Sequence, residues 1–394
     1  MKNTKKLIAL IMCVTMLLAL TACKQKTQIE DKNNTSNNVA ETTGNSEDVS
    51  DNTSNTEAAD NTENSDAEIL DDSHANDIVY PITVTDMIGR EVVIESEPQK
   101  IVSGYYISSS ACIALGLTDK IVAIEQGAAK RPIYGLAAAS LIDIPNVGSA
   151  KAFDLETCLA VEPDLVILPM KQKDTAETLV GMGIPAIVVV PETQDQLIQM
   201  IELIAMVTNK VDRANEIVDY INDKLDMVAE LTAGLNDADK PVVYMGGTGS
   251  YLTTAPAGMY QSALITAGGA KAAGAEIEGA NWTEISYEQM LAMNPDIIVV
   301  PANSQANGAP DYTIDDIKSD AQISDIEAIK NGRVYQMTYG FESWDSPVPS
   351  GVLGTLWMLK TVHPELMSEE EFVSEVQSFY TTFYGFTPAA DSIN

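Results

Sequence analysis

The chain has 394 residues, 45% of them hydrophobic, and a formal net charge of −34. That length accommodates two domains of ordinary size. The acidic balance excludes a nucleic-acid binder, which needs clustered cations to displace counterions from phosphates. Four cysteines and two histidines exclude a disulfide framework and a bare-metal site built from several imidazoles.

The first expected element is a secretory signal over residues 1–22. Lys2, Lys5 and Lys6 precede an apolar run at 7–20 that is too short to span a bilayer comfortably. "LTAC" resembles a bacterial lipobox, with lipid expected on Cys23. Residues 23–80 are Asn, Thr, Ser, Asp and Glu with few large apolar residues. Such a segment cannot bury enough surface to offset its ordering entropy, so a disordered acidic tether is expected.

From Pro81 the grammar changes. Apolar runs ending at Tyr105, Glu125, Pro169 and Pro191 read as buried strands, separated by helical patterns such as 110–117 and 194–207. Strand–helix alternation predicts a mostly parallel sheet covered on both faces. Residues 209–233 hold no Gly or Pro. Val211, Ala214, Ile217, Ile221, Leu225, Val228 and Leu231 recur there at three- and four-residue spacing, which predicts one long amphipathic helix. The alternation restarts at Pro241 and runs through 297–300 and 333–337. The expected class is α/β: an N-terminal lobe over 81–208, a connecting helix over 209–235, a C-terminal lobe over 236–394, and a ligand cleft between the lobes. Cys112 and Cys158 sit in apolar helical contexts and are expected as buried free thiols.

One phrase occurs twice. "FDLETCLAVEPDLVILP" (153–169) returns 132 residues later as "ISYEQMLAMNPDIIVVP" (285–301), with six identities: Glu156/Glu288, Leu159/Leu291, Ala160/Ala292, Pro163/Pro295, Asp164/Asp296 and Pro169/Pro301. This predicts one unit per lobe, a short helix leading through a Pro-Asp turn into a central strand. Ser286 with Gln289 has capping-box spacing, and Asp154 can cap the first copy. In open parallel sheets ligands bind beyond the carboxyl ends of the strands. At those ends stand Tyr105, Tyr106, Tyr251, Trp282, Tyr339, Phe341 and Trp344, which suit a flat chelate or macrocycle. Lys130, Arg131 and Lys171 are expected in the same loops and suit an anionic ligand group.

The entry "VTDMIGREVVI…PQKIV" (84–102), both copies of the repeat, "GMGIPAIVV", "AGGAK" and "NWTEISYEQM" together resemble the substrate-binding lipoproteins of bacterial ABC importers for ferric siderophores, haem and cobalamin. The resemblance covers nearly all of 83–386. It implies two α/β lobes joined by one long helix. It also implies that Glu156 and Glu288, one on each lobe's rim, meet arginines of a membrane permease. On that resemblance the chain is a lipid-anchored extracytoplasmic monomer, not an enzyme and without a cofactor. It would capture an iron chelate, siderophore or haem-like, for a permease and its ATPase. A corrinoid is the alternative, and an enzyme on the same two-lobed fold the more distant one. No Gly-x-Ser-x-Gly, histidine base or metal-ligand cluster supports the enzyme. "WDSPVPSG" (344–351) departs from the arginine-containing turn of many siderophore binders.

Overall fold

The computed structural model describes residues 77–279, 281–302, 312–338 and 340–393. The expected signal, the Cys23 anchor, most of the tether and Tyr339 lie outside the described residues. Among the described residues, no helix is long and apolar enough to cross a membrane.

The described chain begins with an antiparallel hairpin of β1 (Ile82–Thr85) and β2 (Glu91–Ile94). The first sheet is wholly parallel, in the order β4 (Ile121–Ile124), β3 (Ile101–Ser103), β7 (Leu165–Pro169) and β8 (Ala186–Val189). A small hairpin, β5 (Gly148–Ser149) with β6 (Ala152–Phe153), stands beside it. Strands β3, β7 and β8 are buried along their whole length. That is why they read as continuous apolar runs rather than alternating ones.

The second sheet repeats the plan. Its order is β11 (Lys271–Ala272), β9 (Val242–Met245), β13 (Ile297–Val300) and β14 (Val334–Gln336), again all parallel. A separate antiparallel pair, β10 (Thr253–Thr254) with β12 (Thr283–Glu284), accompanies it. The repeated phrase supplies the central strands β7 and β13, each following a short helix, Leu155–Ala160 or Tyr287–Met293. In both copies the aspartate of the Pro-Asp turn ties down the start of the neighbouring strand. Asp164 accepts from the Gln99 and Lys100 N–H groups, both at 2.8 Å, just before β3. Asp296 accepts from the Val242 N–H at 2.8 Å, where β9 begins. The expected caps form as well. Asp154 accepts from the Thr157 N–H, and Ser286 closes a full capping box with Gln289.

Helix Gln194–Thr208 stops at Asn209, whose φ of 57° breaks the helical run before the long helix Val211–Thr232 begins. The long helix buries Ala214, Ile217, Ile221 and Val228, while Leu231 at its far end is 38% exposed. It packs on Gln194–Thr208 and on Gly351–Val362, the helices that follow the last strands of the first and the second sheet in the chain. It is not the sole tie. The C-terminal helix Glu369–Tyr384 touches helix Tyr106–Ala114 of the first lobe. Arg213 donates both to the Ala114 carbonyl at 3.1 Å and to the Thr382 carbonyl at 2.7 Å, joining all three. Cys112 and Cys158 are free and buried, and burial pushes their thiols up to about 12 and about 11.

Candidate functional site

A pocket of about 540 Å³ opens at the carboxyl ends of β3 and β4. The chain leaves β3 through Gly104, where a Cβ would stand 2.8 Å from Leu168 Cδ2 and 2.9 Å from Phe153 Cε2. Only glycine allows that close passage. Tyr105 and Tyr106 follow, edge to face with ring centroids 5.3 Å apart. Beyond β4 come Glu125, Gln126 and Gly127, then Lys130 and Arg131. The β5–β6 hairpin contributes Ser149, Ala150 and Lys151.

Arg131 organises the floor. Its guanidinium lies 4.1 Å from the centroid of the Tyr106 ring, and its Nε is 3.9 Å from Glu125 Oε1. Its side chain is only 9% exposed. The Tyr106 hydroxyl donates to Ser346 Oγ at 3.3 Å, and the Ile133 N–H donates to the Phe341 carbonyl at 3.2 Å. The cationic floor therefore sits on the seam with segment 341–348. Three cations and two half-buried tyrosines around one concavity present a guanidinium fork and two mobile ammoniums to whatever enters. Such a set matches oxygens that carry negative charge.

Behind Arg131 the polar groups are buried. Glu125 Oε2 accepts from Ser109 at 2.5 Å and Oε1 from Tyr134 at 2.5 Å. Glu342 accepts from Ser110 and Ser350. Burial pushes both carboxyls above the ordinary range, opposed by these hydroxyls and by Arg131. Burial also pushes Asp345 up to about 7. Among the described residues, no group of His, Cys, Asp and Glu is arranged to hold a metal ion.

The structure brings together four of the expected ligand residues, Tyr105, Tyr106, Lys130 and Arg131. Lys171 is exposed on the turn after β7, away from the pocket lining. Tyr251 is held within its own loop: its hydroxyl donates to Asp320 Oδ2 at 2.5 Å, and its ring meets Tyr312 edge-on. Trp282 is half-buried beside Gly247. Two expectations are corrected. Trp344 is 0% exposed, donates through Nε1 to the Tyr380 hydroxyl at 2.9 Å and packs on Phe372. Phe341 is 4% exposed against Tyr380 and Phe386. Neither is a wall of the open pocket, because helix Glu369–Tyr384 roofs the segment that carries them. Lys151, Glu125 and Gln126 were missed as pocket residues. A polar residue ending an apolar strand, as Glu125 does, was the available signal.

Glu156 and Glu288 occupy the same place in their two helices, the second residue after the cap, and both are exposed. A hydrogen bond with Ser286 holds the Glu288 carboxyl below its usual range.

The sequence signature of the family described as periplasmic binding protein matches residues 101–339. The chain is 25% identical to the molybdate-binding protein MolA of Haemophilus influenzae, over 76% of this chain and 90% of that protein. It is 24% identical to YvrC of Bacillus subtilis, an uncharacterized ABC transporter substrate-binding lipoprotein, over 74% of this chain and 88% of that one. A periplasmic solute binding protein from Veillonella parvula superposes with a TM-score of 0.68 at 26% identity, covering 79% of this chain and 95% of that one. The chain belongs to the periplasmic binding protein family.

Proposed function

We propose, from that family membership, that this protein is the extracytoplasmic solute-binding component of an ABC importer. It captures an anionic metal species in the Tyr106–Arg131 pocket and delivers it to a permease through Glu156 and Glu288. The observation that carries the reading is electrostatic. In a chain of net charge −34, Lys130, Arg131 and Lys151 converge on one pocket beside two tyrosines. An iron chelate with anionic oxygens on its face is the first reading. The guanidinium and ammoniums grip those oxygens, and Tyr105 and Tyr106 lie against the organic part. A compact oxyanion is the second, supported by the similarity to a molybdate-binding protein and by a pocket lining that holds two aromatics among the described residues. A large flat macrocycle loses ground with Trp344 and Phe341 in the core. Cys23 anchors the protein to the membrane by lipid, and the acidic tether spaces the lobes from it. The expectation is a binder that releases its ligand unchanged.

Native mass spectrometry of the protein purified from its own host tests this. A mass increment that contains iron and an organic anion supports the first reading, and a bare oxyanion the second. Turnover of the bound molecule, or a ligand that still binds to Arg131→Ala with full affinity, overturns the assignment of the pocket.

A further inference from the structure

Two kinds of buried carboxylate coexist in this molecule. Asp86 is met by fixed donors: the Ile88, Arg90 and Val188 N–H groups and the Arg90 guanidinium, whose Nη2 lies 2.6 Å away. None of those donors can turn round and accept. Glu125 and Glu342 are met differently. Apart from its own main-chain N–H, the groups bonded to Glu125 among the described residues are the hydroxyls of Ser109 and Tyr134. Those of Glu342 are the hydroxyls of Ser110, Ser350 and Tyr384. A hydroxyl donates to a carboxylate and accepts from a carboxylic acid, so these sites are satisfied in either state. The hydroxyls are themselves linked, Ser109 to Ser103 at 2.8 Å and Ser103 to Ser108 at 2.8 Å, so a change in one can be absorbed by the next.

Between these two carboxyls lies Arg131. Glu125 approaches it from the pocket side, and Glu342 lines the same small internal cavity on the other. We propose that Glu125 couples capture of an anion to uptake of one proton: when anionic oxygens reach Arg131, the Glu125 carboxylate becomes a carboxylic acid. This rests on the reading of the Tyr106–Arg131 pocket as the ligand site. The balance is simple. One carboxylate, one proton from solvent and the anion give one carboxylic acid and the bound anion, and no bond in the ligand changes. Arg131 offsets the Glu125 charge in the empty pocket. A bound anion draws on the same guanidinium and adds its own negative charge nearby, and both changes disfavour the ionised carboxyl. Burial already pushes in that direction.

The groups facing Glu125 are Arg131, the Tyr134 phenol, the Cys112 thiol on helix Tyr106–Ala114, and Lys130 and Lys151 across the pocket. Burial keeps Cys112 and Tyr134 protonated at neutral pH. The charges of Asp345 and Glu192 act on Tyr106. Asp345 is the rival proton acceptor.

Calorimetric titration with sodium molybdate and with ferric citrate, in HEPES and in Tris at about pH 8, counts the protons, since the buffers differ in ionisation heat. The expectation is about one proton taken up per anion and an affinity that falls about tenfold per unit of pH above that point. Glu125→Gln, an uncharged stand-in for the acid, removes the uptake, flattens the pH profile and binds more tightly than the unmodified protein at high pH. A residue that only held the fold would not produce that gain. Asp345→Asn keeps the uptake. Binding without proton uptake overturns the proposal, as does uptake that survives Glu125→Gln. If neither probe binds, the pocket assignment is what fails. The infrared carboxylic-acid band of the empty protein then tests the premise by itself: a band that is absent at about pH 8, grows as the pH falls and is missing in Glu125→Gln shows that Glu125 accepts a proton, and the lack of such a band overturns the inference.

Discussion

The two lobes share one plan and differ in what stands at their strand ends. Both sheets are four parallel strands in equivalent order, and both receive the repeated helix–turn–strand phrase at the centre. Beyond β3 and β4 the first lobe opens a pocket lined by two tyrosines and three cations. Beyond β9 the second lobe ties Tyr251 into its own structure. Tyr251 is bonded to Asp320, and Tyr244 donates to the Tyr251 carbonyl at 2.6 Å. A duplicated scaffold thus fixes where chemistry can be placed, and the loops decide whether any is placed there.

The largest expected effect breaks the symmetry outright. Arg131→Ala removes the cation on which Glu125, Glu342 and the ligand all draw. Truncating one partner of a buried charge pair in a binding site costs about 2–5 kcal/mol, which reads as a loss of about thirtyfold or more in ligand affinity by calorimetry. Tyr251→Phe, at a second-lobe strand end, should change affinity little. Equal losses from both would mean that the ligand is gripped by the two lobes alike.

Docking should restore the symmetry. Glu156→Ala and Glu288→Ala are each expected to lower uptake in cells by more than about tenfold, and the double variant to abolish it, with ligand affinity unchanged. If one glutamate alone carries the loss, the permease reads one lobe. If neither does, both return to the role of acids at helix N-termini.

Much of this was legible in the sequence because it is periodic. The 132-residue repeat, the continuous apolar strands and the stripe from Val211 to Val228 each follow from spacing, and the caps at Asp154 and Ser286 from residue type and position. The pocket was half legible. Tyr105, Tyr106, Lys130 and Arg131 stand at strand ends, and strand ends are readable. Trp344 and Phe341 stand at one too, but their burial is set by helix Glu369–Tyr384, which meets them only in space. Nothing local to "FESW" announces that roof. Glu125 and Glu342 escaped for the same reason: their hydroxyl partners Ser109 and Ser110 lie 16 and 232 residues away.

A smaller test asks whether the twin turns are energetically twins. Asp164→Ala frees two main-chain N–H groups ahead of β3, and Asp296→Ala frees one at the start of β9. A hydrogen bond to a charged group contributes about 1.5–3 kcal/mol. Urea unfolding should therefore show Asp164→Ala as the more costly, and the reverse order would mean that burial of the Asp296 bond outweighs the number of Asp164 bonds.

The smallest effect separates the two caps by their chemistry. At equivalent positions the first copy uses a carboxylate, Asp154, and the second a hydroxyl, Ser286. Thr157 holds the Asp154 carboxyl below its usual range, through its hydroxyl and then its N–H. A depressed folded-state pKa adds stability above the unfolded value, and that stability is lost as pH falls through the folded one. Asp154→Ala should therefore lower the unfolding midpoint at neutral pH, and the difference from the unmodified protein should shrink in acid. The hydroxyl of Ser286 needs no ionisation to accept the Gln289 N–H at 3.2 Å. Ser286→Ala should cost about 1 kcal/mol at either pH. Only the part that runs through Glu288, whose carboxyl Ser286 also holds down, should fade in acid. Midpoints that respond to pH equally in both variants would mean that the caps act through helix geometry alone, with no contribution from the charge on Asp154.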